Sequence, residues 1–398
     1  MNGGGVDARA TVVHIITLLE WGGAQENTLH TVASLDPRRF DRVLIAGRGG
    51  MLDERASGIP SLRLSHVDDL VREVRPVPDV KAFLALRAML RAEKRKAAGR
   101  PLVVHTHSSK AGILGRAAAR AAGADVVVHT IHGFGFHDGQ FLPLRASYVA
   151  AERLASRWTD AYVAVSEENV RLGEREGLFS RERCRLIRSG FDTERFLHGS
   201  RERGRRIVGA AEGERVVGTV AVFKRQKAPL DFVETARRVA REVAGVRFVM
   251  VGDGELRRET ERAAAAAGLA ERFSFPGWRP EVPDLLAALD VFLLTSRWEG
   301  LPKVVPQAMI AGVPVVATAV DGTKEIVDHG SDGVLAPPGD VESLSRGVAD
   351  ILTGRLRLQT GRRREWLLRE FDQDGMVRKQ ERLYAELLAG KGFSGWGR

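Results

Sequence analysis

Short runs of β-branched and aliphatic residues alternate along the chain with stretches whose apolar positions recur every three to four residues. The first pattern predicts strands at Val12–Leu18, Asp41–Ala46, Leu102–His105, Val126–Ile131 and Ala161–Val165. It recurs at Val216–Val222, Arg247–Val251, Arg272–Pro276, Val291–Leu294, Val313–Thr318 and Gly333–Leu335. Strands that alternate with helices belong in parallel sheets covered on both faces, and these are too many for one compact sheet. A break falls at Ser189-Gly190-Phe191-Asp192, which is turn chemistry, and the stretch Gly199 to Gly213 is polar and basic. The predicted class is α/β: two Rossmann-like, doubly wound parallel-sheet domains, residues 1–192 and 193–398, with the last helix able to pack back on the first. The Gly-rich tails Met1–Ala8 and Gly390–Arg398 are expected to be loosely held.

Composition narrows the class without changing it. The 398 residues are 44% apolar and 28% charged, which excludes disorder, collagen-like repeats and coiled coil as the main architecture. No apolar run approaches the roughly 18 residues that span a bilayer. The N-terminus lacks a charged segment and a small-residue cleavage site, so export by that route is not expected. The single cysteine, Cys184, can form neither an internal disulfide nor a thiolate metal site, and is expected to be inert; it fits a reducing cytoplasm.

The net charge of +10 is the abnormal number. Residues 1–190 hold 28 basic and 21 acidic side chains, so most of the excess lies in the first half. Lys81 to Arg100 carries seven basic residues and one acid, interleaved with Phe83, Leu84, Leu86, Met89 and Leu90. That is an amphipathic basic helix: either a surface helix with its apolar stripe on a sheet, or a contact for an anionic membrane. Nucleic acid is not an expected partner, because no stacking aromatic or recognised module accompanies the charge.

Three loops carry candidate chemistry. Gly22-Gly23-Ala24-Gln25 follows the first strand and opens a helix, where helix-end N–H groups can meet phosphate. It lacks G-x-G-x-x-G spacing, which disfavours a nicotinamide dehydrogenase, and a plain strand–helix turn would read the same. Val251-Gly252-Asp253-Gly254-Glu255-Leu256 repeats the pattern and supplies a second phosphate- or nucleoside-sized site. Ser296-Arg297-Trp298-Glu299-Gly300-Leu301-Pro302 runs into a helix containing Gln307 and ending near Gly312. A carboxylate beside free backbone donors suits a polyol such as a sugar.

With His132-Gly133, Val165-Ser166-Glu167, Ile187-Arg188-Ser189-Gly190-Phe191-Asp192, Lys224, Lys227, Gly312-Val313-Pro314-Val315-Val316-Ala317-Thr318, Gly322 and Glu325, these segments form one ordered series. In it the chain resembles the retaining glycosyltransferases of family 4, which have the GT-B fold, over nearly its whole length. The resemblance implies a nucleotide-sugar donor bound mainly to the second domain and an acceptor bound mainly to the first, across a cleft. It implies that Glu299 hydrogen-bonds the transferred sugar, helped by the backbone of Gly300 and Leu301. Gln307 takes the place of the second glutamate of the family's E-x7-E motif and would hold the ribose hydroxyls. Lys227 would grip the diphosphate, with Gly22 and Gly23 approaching it from the other side and Gly252, Asp253 and Gly254 on the donor. His132 would lie near the donor sugar. Fixed cations and helix-end amides can stabilise the leaving diphosphate, and no Asp-x-Asp cluster is placed for Mg²⁺, so no metal or other cofactor is expected.

Two positions depart from the family. Gln307 can bond ribose only as a neutral amide. The family arginine that accompanies Lys227 aligns with Val222; on a continuing strand residues 222 and 224 share a face, so Lys224 is expected to replace it. Among the histidines, His105, His107, His129, His132 and His137 cluster by strand ends. A zinc site is one reading, but no cysteine is near and the ligand spacings are missing. The other is a lining of the cleft, with His107 and Lys110 meeting an acceptor phosphate such as a lipid diphosphate. Glu325 could equally be a helix-start residue that complements the dipole.

The expected activity is transfer of a sugar, with retention, to an acceptor hydroxyl in polysaccharide, glycolipid or glycoconjugate biosynthesis. The resemblance implies a front-face displacement in which the leaving phosphate takes the acceptor proton. The acceptor classes are a sugar, a lipid-linked saccharide or a small molecule. The inner face of the plasma membrane is an expected surface. Two alternatives stand beside it: a non-catalytic sugar-nucleotide-binding homologue, and a nucleotide-sugar epimerase or phosphorylase on the same fold.

Overall fold

The structure is a computed structural model describing residues 8–137 and 139–396. It divides into two compact units, one running to Gly190 and resuming at Gln373, the other Phe191–Asp372. The terminal segment from Gln373 therefore belongs with the first unit rather than with the 193–398 domain.

The first unit holds β1 (Ala10–Ile16), β2 (Phe40–Ala46), β3 (Arg63–His66), β4 (Leu102–His107), β5 (Val126–Ile131), β6 (Ala161–Ala164) and β7 (Cys184–Leu186). They form one parallel sheet in the order β3-β2-β1-β4-β5-β6-β7. Val13, Ile15, Val43 and Val104 pack on one face with Leu86 and Leu90 of the helix Pro76–Lys96. On the other face Val12, Phe40, Val103 and Val128 meet Leu383, Tyr384 and Leu388 of the helix Gln373–Gly390. Each such side chain contributes roughly 1.5–3 kcal/mol when fully buried, which explains why this helix stays with the first sheet. The tail after it is not loose where it is described: Trp396 is buried, with its ring 5.5 Å from Phe40 and under the Arg39 guanidinium. The expectation for residues 1–7 and 397–398 lies outside the described residues.

The second unit holds β8 (Arg215–Val220), β9 (Val246–Val251), β10 (Phe273–Gly277), β11 (Val291–Leu294), β12 (Val315–Thr318) and β13 (Gly333–Ala336). Their order is β10-β9-β8-β11-β12-β13, again parallel. Val217, Phe248, Val291, Leu293 and Val316 build its core with Phe232, Val239 and Val348 from flanking helices.

Both sheets are doubly wound, and each has a point where strand order reverses: between β1 and β4 in the first unit, between β8 and β11 in the second. Ligands of open parallel sheets bind outside the carboxyl ends of the strands at such points.

Candidate functional site

In the second unit the loops after β8, β9 and β11 bring most of the expected donor residues to one end of the sheet. β8 stops at Val220, and the Lys224 amide donates to Val222 O at 2.9 Å, which closes a tight turn. The strand does not continue to 224, so strand alternation does not place Lys224 on the Val222 face. Lys224 instead precedes the short helical turn Arg225–Lys227 and is half-buried.

Lys227 and Glu299 form an ion pair between Nζ and Oε1, their side chains 17% and 6% exposed. Ser296 Oγ donates to the same Oε1 at 2.5 Å. The Glu299 amide donates to Asp321 Oδ2 at 2.6 Å, Thr318 Oγ1 donates to Ser296 O at 2.6 Å, and Gly322 N donates to Gly300 O at 3.3 Å. The loop after β12 thus buttresses the loop that carries Glu299. Thr295 Oγ1 meets the Lys227 and Ala228 carbonyls at 3.0 Å, so the lysine loop is tied to the same frame. Asp321 had no sequence signal as a support, because its partner is a backbone amide in another loop, whereas Ser296 supports Glu299 from three residues earlier in the same loop.

The loop after β9 needs its glycines. Gly252 and Gly254 take φ of 131° and 152°, and a Cβ at Gly252 would stand 2.0 Å from Ala221 O. Asp253 is occupied locally, accepting from the Gly254 amide at 2.7 Å and pairing with Arg257 at 3.2 Å. Leu301 is buried, Gly300 and Gln307 are half-buried, and Gln307 sits in the helix Val304–Ile310, followed by Gly312 at φ 80°. Glu325 lies in the single turn Thr323–Ile326.

In the first unit, a pocket of about 210 Å³ opens at the β1–β4 reversal, lined by Thr17, Gln25, Arg72, Ser108, Ser109 and Lys110. Gly22 caps the helix Gly23–Ser34 beside it, with Gly23 its first residue. Ser108 holds φ 60° at the start of the helix Ser109–Ala122, a strained setting for a non-glycine residue, and bonds Thr17 Oγ1 at 2.7 Å. Lys110 pairs with Asp79 at 2.5 Å.

His105 and His107 do not line a surface. Both rings are buried, along with His14 and His129. They project inward from β1, β4 and β5, so His107 cannot meet an acceptor directly, which corrects that expectation. His14 lies opposite His105 across the β1–β4 ladder and bonds His107 at 2.9 Å; His107 bonds the half-buried His132 at 3.1 Å. Burial pulls His14 down to about 3 and holds His105, His107 and His129 well below the ordinary imidazole range. One nitrogen from each of His14, His105 and His107 lies within 4.8 Å of the others, so the set is spaced for a metal ion. Each of these six ring nitrogens already has a hydrogen-bond partner, however. Cys184 is buried, and burial pushes its thiol up to about 12, so it stays protonated.

Comparison with known proteins adds to this geometry. Residues 21–195 match the model described as Glycosyltransferase Family 4, and residues 214–354 that described as Glycosyl transferases group 1. The UDP-Gal:alpha-D-GlcNAc-diphosphoundecaprenol alpha-1,3-galactosyltransferase of Escherichia coli is 29% identical over 96% of this chain and 99% of its own. The D-inositol 3-phosphate glycosyltransferase of Geodermatophilus obscurus is 30% identical over 71% of this chain and 66% of its own. Among solved structures, Anabaena HepE in complex with UDP and glucose superposes with a TM-score of 0.78 at 20% identity, covering 96% of this chain and 99% of that one.

Proposed function

The chain belongs to glycosyltransferase family 4 and is a nucleotide-sugar-dependent glycosyltransferase of GT-B fold, and we propose that it moves a hexose, with retention, from a uridine diphosphate sugar to a hydroxyl of a saccharide carried on a lipid diphosphate. The observation that carries the donor half is the placement of Lys227, Glu299 and the Gly252–Gly254 segment in the loops that follow adjacent strands at the reversal point of the second sheet. The uridine base and the lipid-linked acceptor rest on the full-length likeness to the galactosyltransferase, whose name specifies both for that enzyme.

Lys227, with Lys224 nearby, holds the diphosphate and meets the charge that grows as the anomeric C–O bond to phosphate breaks. Glu299 accepts from hydroxyls of the transferred sugar, Gln307 bonds the ribose, and His132 bonds a sugar hydroxyl. The acceptor oxygen forms its bond on the face the diphosphate leaves, and its proton passes to a departing phosphate oxygen. We assign no protein nucleophile and no metal to the step, since positive charge at the leaving group is supplied by lysines.

The β1–β4 pocket, with Lys110, Arg72 and two serine hydroxyls, is suited to an acceptor phosphate. The helix Pro76–Lys96 supports delivery from a membrane. It buries Ala82, Leu86 and Leu90 on the sheet, yet Val77, Val80 and Leu84 stand 66%, 59% and 50% exposed on its other side. Lys81, Arg91 and Arg95 share that exposed face. An apolar patch flanked by cations fits an anionic lipid surface. Among the described residues no helix is long and apolar enough to cross a membrane. A panel of UDP-, GDP- and ADP-sugars tests the donor: nucleotide release confined to UDP-sugars supports the reading, and release from another class alone rejects the uridine assignment.

A further inference from the structure

Lys227 and Glu299 stand on different loops, and their ion pair is one link between those loops. In the proposed reaction a bound donor takes the lysine to its diphosphate and the glutamate to its sugar, so this link ends when the donor is seated. Other bonds must then keep the two loops in register.

Gln226 supplies them. It stands immediately before Lys227 in the turn Arg225–Lys227 and is half-buried. Its side-chain Nε2 donates to Trp298 O at 2.9 Å, and its own carbonyl accepts from the Arg297 amide at 2.7 Å. Residue 226 thus grips the two residues that lead into Glu299. On the other side of Lys227 the chain turns sharply: Ala228 takes φ 44°, a left-handed conformation that is costly for a non-glycine residue. Thr295 Oγ1, at 3.0 Å from both the Lys227 and Ala228 carbonyls, holds that turn from the start of the glutamate loop. The lysine is therefore bracketed by bonds that do not involve its own ammonium.

We propose that Gln226 is a positioning residue for Glu299: through the Trp298 carbonyl it keeps the carboxylate at the donor sugar after Lys227 has let go of it. The proposal rests on the assignment of Lys227 to the diphosphate and Glu299 to the sugar. The Gln226 side chain engages backbone, so it acts through Glu299. While the ion pair is intact it shares the work of holding the loops, and loss of the Gln226 donor is felt mainly once the pair is gone.

Gln226→Met keeps the length of the side chain and removes the N–H donor. Two measurements on the full chain test the proposal. The first follows amide hydrogen exchange over residues 295–300, with no substrate present. Gln226→Met alone should leave it nearly unchanged. Added to Glu299→Ala, which removes the ion pair, it should speed exchange about tenfold. The second measures transfer and UDP binding. Gln226→Met should lower the turnover number about tenfold with UDP affinity unchanged. In the Glu299→Ala background the same change should cost less than about twofold, because the residue it positions is absent. A residue that merely stabilised the fold would lower the rate by one factor in both backgrounds.

Three results overturn the proposal: equal exchange with and without the Gln226 donor in the Glu299→Ala protein, equal rate losses in both backgrounds, or a large fall in UDP affinity. Gln226→Ala removes the same donor and must give the same outcomes, which decides the matter even if the methionine variant does not fold. Failure of the glycosyl-transfer reading would show separately, as no transfer by a wild type whose loops exchange as described.

Discussion

Lys227 and Glu299 hold each other: Nζ of one meets Oε1 of the other, and Ser296 Oγ closes on the same oxygen at 2.5 Å. The lysine is assigned to the diphosphate and the glutamate to the sugar, so the two ends of one donor replace the bonds each makes to the other. A largely buried pair of this kind is costly to break from one side, because the remaining charge is left uncompensated. The pairing holds both side chains in place before the donor arrives.

Glu299→Ala therefore separates sugar recognition from diphosphate binding. Transfer should fall about 10²–10³-fold. UDP alone should bind as tightly as to the wild type or more tightly, because Lys227 no longer has a carboxylate to leave. Isothermal titration with UDP checks this, and a large loss of UDP affinity contradicts the division of roles.

Lys227→Ala and Lys224→Ala should each slow turnover by about two orders of magnitude or more. The two carry different information. Near-normal kinetics in Lys224→Ala would remove it from the diphosphate site, since the tight turn at 222–224 replaces the strand that first suggested it.

Gln307→Glu restores a charged acceptor where the amide now stands. Hydrogen bonds to a charged group are worth roughly 1.5–3 kcal/mol against about 1 for a neutral one. The KM for donor should drop severalfold with the turnover number little changed; an unchanged KM would place Gln307 away from the ribose.

The buried histidines make the fold acid-sensitive. His14, His105, His107 and His129 have folded pKa values depressed below 6.5, so below that pH the unfolded chain binds more protons than the folded one. Stability is fully present above pH 6.5 and is lost as pH falls through it, by about 1.4 kcal/mol per pH unit for each ring that stays neutral. Thermal unfolding followed by circular dichroism between pH 7.5 and 5 should show a steep fall in Tm, less steep in His129→Gln if that variant folds. A flat profile contradicts the burial argument.

Membrane contact by the helix Pro76–Lys96 predicts co-sedimentation with anionic liposomes at low salt and not with neutral ones. Val77→Asp with Leu84→Asp should abolish it while leaving thermal stability unchanged, as both side chains are exposed. Equal binding by the double variant removes this helix from the contact.

Most of the architecture was legible because it rests on continuous apolar runs. All eleven expected runs overlap an observed strand, and the missing two, β3 and β7, are short edges of the first sheet. Arg63-Leu64-Ser65-His66 and Cys184-Arg185-Leu186 bury little, and so carry no run to read. The donor loops were legible by motif, whereas their supports were not: Asp321 serves Glu299 through a backbone amide. The buried histidine cluster was half visible. His14 is a lone polar residue within Val12–Ile16, which signals a buried partner, but its link to Tyr384 spans 370 positions of sequence.

The central claim is transfer of hexose from a uridine diphosphate sugar to a lipid-diphosphate saccharide with retention. The direct measurement is to incubate the full chain with UDP-galactose and a synthetic N-acetylglucosamine diphospholipid, then weigh the product and read its anomeric configuration by NMR. A product heavier by one hexose with an α linkage, formed with release of UDP, is predicted. A β-linked product, epimerised donor without transfer, or donor bound with no turnover over a range of diphospholipid-linked sugars and UDP-hexoses, would contradict it.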